Sequence, residues 1–207
     1  MSERRNGPLP PPVVEPFPEE ILFAAEALRR GEVVAYPTET FYGLGVAALD
    51  ELALARLRQL KGRAAEKTVS VLVAGDEMID RLCRTVPPLG RRLMREHWPG
   101  PLTLALPARR GIPQALVKDG FVALRDSSHP TARALVLALG APVTATSANL
   151  AGARPATTSE EVEDAFDGRC RVLAGGITPG GEPTTIARVR GESLEILRQG
   201  AIKLGPC

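Results

Sequence analysis

Between residues 18 and 197, short apolar runs of strand type alternate with helical stretches closed by a cap, a glycine or a proline. This alternation confines the chain to a sheet flanked by helices. Pro18 suits a first helical turn, Glu19 and Glu20 favour the positive end of the dipole, and Arg29-Arg30-Gly31 closes that helix. The strand Glu32–Tyr36 follows, and Asp50 caps a helix over Glu51–Leu60. Further strands are predicted over Thr68–Val73, Leu102–Leu106, Phe121–Leu124, Pro142–Thr146, Arg171–Leu173, Thr185–Val189 and Leu194–Leu197. Helices are predicted near Asp76–Arg84, Pro88–His97 and Pro130–Leu139, and over Glu160–Phe166 behind a Thr158–Glu161 capping box. There is no internal repeat and no Gly/Ser linker after residue 18. One α/β domain over 18–207 is expected, a twisted mixed sheet with flanking helices, preceded by a poorly ordered tail, 1–17, with five prolines.

Composition narrows the partners. The 207 residues are 44% hydrophobic and 24% charged, the balance of an ordinary soluble domain with a sizeable core. No apolar run reaches the length of a membrane span, and Met1–Pro12 carries arginines and prolines instead of a secretory apolar stretch, so a cytoplasmic protein without a membrane partner is expected. Cys83, Cys170 and Cys207 lie far apart and give neither a disulfide framework nor a paired metal-ligand spacing. A formal net charge of +2 does not announce a nucleic-acid coat protein.

Chemistry concentrates in three places. The run Val33–Tyr36 breaks at Pro37 and delivers Thr38, Glu39 and Thr40 before Tyr42-Gly43-Leu44-Gly45. Short hydroxyls and a carboxylate at a strand end, backed by glycines, describe a place where backbone and small polar groups approach a ligand. The same residues also suit a strand that ends in a turn. Lys61-Gly62-Arg63 ends a helix; if extended, the segment points both cations to one side, where they could hold phosphate or carboxylate, or they could decorate a helix C-terminus. Ser147-Ala148-Asn149 follows a strand and offers a hydroxyl and an amide on one face, or a turn with Asn149 left-handed, helped by Gly152.

Two further patterns mislead. Gly43-Leu44-Gly45-Val46-Ala47-Ala48 fits a dinucleotide fingerprint, but Pro37–Tyr42 separates it from the strand and no acidic residue ends Thr68–Val73. Asp126-Ser127-Ser128-His129 holds the ingredients of a triad, yet triads are assembled by the fold, and His129 before Pro130 suits a helix start.

In this order, Pro37-Thr38-Glu39-Thr40 with Tyr42-Gly43-Leu44-Gly45, Lys61-x-Arg63, Trp98-Pro99-Gly100-Pro101-Leu102-Thr103, Arg125 with His129-Pro130, and Ser147-Ala148-Asn149 resemble the threonylcarbamoyl-AMP synthase family, the YrdC-like domain, in its short bacterial form. The resemblance runs from about residue 20 to 200 and includes the ending Leu197-Arg198-Gln199-Gly200. It implies a sheet curled around a deep basic cleft and an ATP-dependent nucleotidyltransferase. That enzyme would join L-threonine, bicarbonate and ATP, with Mg2+ on the phosphates, into threonylcarbamoyl-adenylate and pyrophosphate. A downstream transfer complex would pass the threonylcarbamoyl group to tRNA.

By the same resemblance, Lys61, Arg63, Ser147 and Asn149 would be catalytic. Thr38, Thr40, Arg125, Ala145 and Thr184 would bind threonine, and Lys67, Pro155 and Arg198 would join the four catalytic groups around ATP. No general base stands out, so positioning and electrostatics would carry the reaction. Ala64 and Thr68 stand where the family often has proline, and Leu72 where its long form has histidine. The competing reading is a non-catalytic module for double-stranded RNA or ribosome binding, which eight aromatics and a small net charge serve poorly.

Overall fold

A computed structural model describes residues 16–62 and 69–205 of the chain. The expected tail up to residue 15 lies outside the described residues, as do Arg63, Ala64, Lys67, Thr68 and Cys207. Helix α1 (Pro18–Arg29) starts where Pro18 predicts, and the Glu20 carboxylate reaches back 2.9 Å to the Phe17 N–H. Its buried face, Ala24, Ala25, Ala27 and Leu28, is small enough for α5 (Pro130–Leu139) to pack closely.

Strands β1 (Val34–Tyr36) and β2 (Gly43–Gly45) form an antiparallel pair, with Tyr36 opposite Gly43 and Val34 opposite Gly45. Helix α2 (Glu51–Lys61) is capped by Asp50, whose Oδ1 accepts from Leu52 N–H and Ala53 N–H at 2.9 and 3.0 Å. Then come β3 (Ser70–Leu72), α3 (Asp76–Leu82), α4 (Pro88–His97), β4 (Leu102–Pro107), β5 (Val117–Lys118) and β6 (Phe121–Arg125). After α5 the chain gives β7 (Val143–Ser147), α6 (Ser159–Phe166), β8 (Arg171–Val172), β9 (Thr185–Arg190) and β10 (Ser193–Arg198).

The strands join into a single mixed sheet in the order β10-β9-β4-β6-β3-β7-β2-β1-β8, with β5 on β6. Three pairs are parallel (β1 with β8, β3 with β6, β4 with β9) and the others antiparallel, so the sheet is mixed. Val34, Leu44, Val71, Leu104, Leu124 and Val143 are fully buried in its centre, covered by the helices.

Most elements match the sequence expectations within about two residues at each end; the short β5 was not expected, and three further differences stand out. The expected strand Glu32–Tyr36 contracts to three residues. The capping box at α6 is shifted: Thr158 Oγ1 accepts from Glu161 N–H at 3.2 Å, but the Glu161 carboxylate bonds chiefly to the N–H of Thr157, at 2.6 Å. Strand β2 was not expected, because two glycines in three residues argue against a strand.

The reason for β2 is steric. Tyr36 is fully buried and its hydroxyl donates 2.6 Å to Thr144 O, which lays the ring across β2. A Cβ on Gly45 would stand 2.6 Å from Val143 Cγ1 and 2.7 Å from both Thr144 O and Tyr36 Cε1. The glycines are therefore seats for a ring, which also disposes of the dinucleotide fingerprint. Gly45→Ala should lower the unfolding free energy by about 1–3 kcal/mol in urea denaturation, the cost of overpacking a core that cannot yield. An unchanged midpoint would contradict this packing.

Candidate active site

A cavity of about 420 Å³ opens on the sheet, and register places its walls. Three cross-strand pairs contribute both members: Gly43 with Ser147, Ser70 with Ala145, and Thr103 with Ile186. Arg125 enters from the end of β6 and Arg198 from the end of β10, while Thr38 and Thr40 come from the turn after β1 and Thr184 from the residue before β9. All five residues expected to bind threonine (Thr38, Thr40, Arg125, Ala145, Thr184) line this one cavity, together with Ser147, Pro155 and Arg198.

The small hydroxyls are fixed locally. Thr38 Oγ1 donates 2.7 Å to Phe41 O and accepts from Thr40 N–H at 3.3 Å, with Thr40 Oγ1 3.2 Å away. Tyr42 anchors the segment behind them: its N–H donates to Ala156 O, its carbonyl accepts from Ala148 N–H, and its hydroxyl lies between Gly175 N–H and Gly176 O. Arg198, also in the lining, donates from Nε and Nη2 to Thr184 O at 3.0 and 2.8 Å, and from Nη2 to Thr184 Oγ1 at 2.8 Å. Partial burial, and then the nearby Arg125 charge, lower the Arg198 pKa. Two guanidinium groups thus share one hollow, an arrangement that attracts anions.

Arg125 is buried and paired. Its Nη2 lies 2.6 Å from Glu39 Oε2 and its Nε donates to Oε1 at 3.2 Å. Ser127 Oγ donates to Glu39 Oε2 as well. Burial would raise the Glu39 carboxyl, but Arg125, Ser127 and a backbone N–H outweigh it and hold the carboxyl below the usual carboxylate range. Sequence reasoning placed Glu39 at the site's edge without giving it a role; its partner lies 86 positions away, beyond any local signal. The candidate triad is dismantled by the same contacts. Ser127 serves Glu39 and the His129 N–H, His129 caps α5, and Asp126 faces Arg133 at 3.6 Å.

Lys61 meets Ser147, but not through strand alternation. Lys61 is the last helical residue, and Gly62 turns left-handed at φ 59°, so the expected extended Lys61-x-Arg63 geometry does not apply to Lys61. The side chain is instead buried, and its Nζ donates to Ser147 O. Arg63 and Lys67 lie outside the described residues. The chain also bends after Ser147, where Asn149 N–H donates to Ser147 O at 3.0 Å, so Asn149 does not share Ser147's strand face. Nor is Asn149 left-handed. Its amide donates to Leu150 O and Ala153 O, both at 2.9 Å, and Oδ1 accepts from Ser147 Oγ. Both ends of the amide are engaged within the loop, so Asn149 holds Ser147 in place and is not itself among the cavity's lining.

Phe41, Ser70, Pro183 and Ile186 line the cavity without having been anticipated. Ser70 and Ile186 could have been reached only through the register that pairs them with Ala145 and Thr103.

Comparison with known proteins agrees with the arrangement. Residues 26–200 match the Sua5–YciO–YrdC family model, described as telomere recombination, and the chain belongs to that family. A threonylcarbamoyl-AMP synthase of Thiobacillus denitrificans is 40% identical over 160 residues, covering 77% of this chain and 85% of that protein. The threonylcarbamoyl-AMP synthase of Pyrococcus abyssi is 35% identical over 187 residues, covering 89% of this chain and 55% of that one. This chain therefore spans about half the length of the Pyrococcus relative. The crystal structure of P. abyssi Sua5 complexed with L-threonine superposes with a TM-score of 0.84 at 34% identity, over 88% of this chain and 54% of that one.

Proposed function

We propose that this chain is an L-threonylcarbamoyladenylate synthase, an ATP-dependent nucleotidyltransferase acting in threonylcarbamoyladenosine modification of tRNA. The observation that carries the reading is the gathering, in one hollow, of Thr38, Thr40, Arg125, Ala145 and Thr184 from four separate chain segments. The relatives' names and the L-threonine held by P. abyssi Sua5 support the same choice of substrate.

In this reading the threonine amine adds to bicarbonate carbon with loss of water, and a carbamate oxygen then attacks the α-phosphorus of MgATP. A P–O bond forms to the carbamate as the bond to pyrophosphate breaks. Carbamate and triphosphate are both anionic, so the protein's work is to neutralise and align them. Arg125 would clamp the threonine carboxylate, a task for a planar fork. Arg198 would face the nucleotide together with Ser147, Pro155 and the Lys61-held strand end, and Arg63 and Lys67 would add charge. Asn149 would act through Ser147. Magnesium would enter on ATP's phosphates as part of the substrate.

Among the described residues no helix is long and apolar enough to cross a membrane. A cytoplasmic setting and a hand-over to a downstream tRNA-modifying complex complete the proposal.

Incubating the full chain with MgATP, bicarbonate and L-threonine should release pyrophosphate only when threonine is present, with serine a poorer substitute. Release indifferent to threonine would rule the reading out.

A further inference from the structure

We propose that Glu39 is a positioning residue for Arg125, deciding which edge of the guanidinium is offered to a substrate carboxylate and so how firmly the site grips it. This deepens the synthase reading and rests on it.

Glu39 takes one edge of the fork, with Oε1 on Nε at 3.2 Å and Oε2 against Nη2 at 2.6 Å. Of the guanidinium's five N–H donors, that of Nε is taken by Glu39 and those of Nη2 are buried against the carboxylate, which leaves Nη1 to face a ligand. Arg125 lines the cavity and Glu39 does not, so the carboxylate stands behind the guanidinium, away from the ligand. Ser127 Oγ, two residues past the end of β6, donates to Oε2 and ties the carboxylate to the strand that carries Arg125. Thr38 and Thr40 flank Glu39 on the cavity side, so one short segment sets both the hydroxyl floor and the clamp's angle.

Glu39 is not a candidate base. Both oxygens are engaged, and Arg125 and Ser127 hold it ionised and weakly basic. Its negative charge opposes a second carboxylate, but it does so through the intervening guanidinium. Loss of orientation acts on the clamp directly, so orientation is the larger effect.

The test compares L-threonine with L-threoninol, which lacks the carboxylate, binding to the full chain by titration calorimetry. In Glu39→Gln the amide oxygen can still accept from Nε, but its NH2 meets Nη2 donor to donor. L-threonine affinity should fall on the order of tenfold to a hundredfold, the range known for outer partners that orient metal ligands. L-threoninol affinity should stay unchanged. Glu39→Asp keeps the charge but shortens the reach, and should show the same carboxylate-specific loss. In an Arg125→Ala background, Glu39→Gln should cost nothing further.

Equal losses for both ligands would reduce Glu39 to a structural role, and unchanged or tighter L-threonine binding in Glu39→Gln would overturn the proposal outright. Wild-type protein that binds no L-threonine would instead strike down the synthase reading, and this proposal with it.

Discussion

Arg125→Ala should lose threonine-dependent pyrophosphate release by roughly a hundredfold or more, the scale expected when a charged contact in a dry site is removed. The loss should appear chiefly as a raised KM for threonine, with ATP affinity less altered, because Arg198, not Arg125, is the guanidinium proposed to face the nucleotide. Stability should suffer too. Only 7% of the Arg125 side chain and 15% of the Glu39 side chain are exposed, so alanine leaves a buried carboxylate without its partner. Removing one member of such a pair typically costs about 3–5 kcal/mol. Arg125→Lys separates the two effects, since it keeps a charge for Glu39 but cannot supply the fork. Near-normal turnover in a folded Arg125→Ala protein would overturn the clamp.

Gly200→Ala should be nearly as damaging, although residue 200 touches no proposed substrate. An added Cβ would fall 2.0 Å from Pro183 O and within 2.7 and 2.8 Å of Thr184 C and O, all of it backbone. Either the end of β10 or the Pro183–Thr184 segment must move. Arg198 bonds to Thr184 O and Oγ1, and Gly200 N–H donates to Thr185 Oγ1 at 3.0 Å, so any movement is passed to a cavity wall. A stability loss of about 2–4 kcal/mol is expected, at the upper end for overpacking. Weaker L-threonine binding should accompany it in titrations at a temperature where the variant is folded. Full stability and unchanged binding would show that this junction yields more easily than its geometry implies.

Much of this architecture was legible because local chemistry and tertiary structure agree. Pro18, Asp50 and Thr158 start helices where their side chains predict, and Gly62 and Gly140 end them left-handed. What escaped were features decided by distant neighbours. Strand β2 exists because Tyr36 needs a floor without side chains, a demand invisible in Gly43-Leu44-Gly45 itself. The meeting of Lys61 with Ser147 was anticipated, but its cause was not. Strand alternation was the expected device, whereas a helix end and a bent loop achieve it. In the sequence Glu39 is one polar residue of a motif, and its pairing with Arg125, 86 positions away, leaves no local trace.

The hollow has no local owner. Its lining runs from Thr38 to Arg198 and draws on strands from both sides of β6. No contiguous stretch of chain encodes even half a binding surface. Exchanging a segment with a relative would therefore replace one side of a mould while leaving the other, and substrate preference in this lineage can drift only as fast as the whole sheet accommodates it.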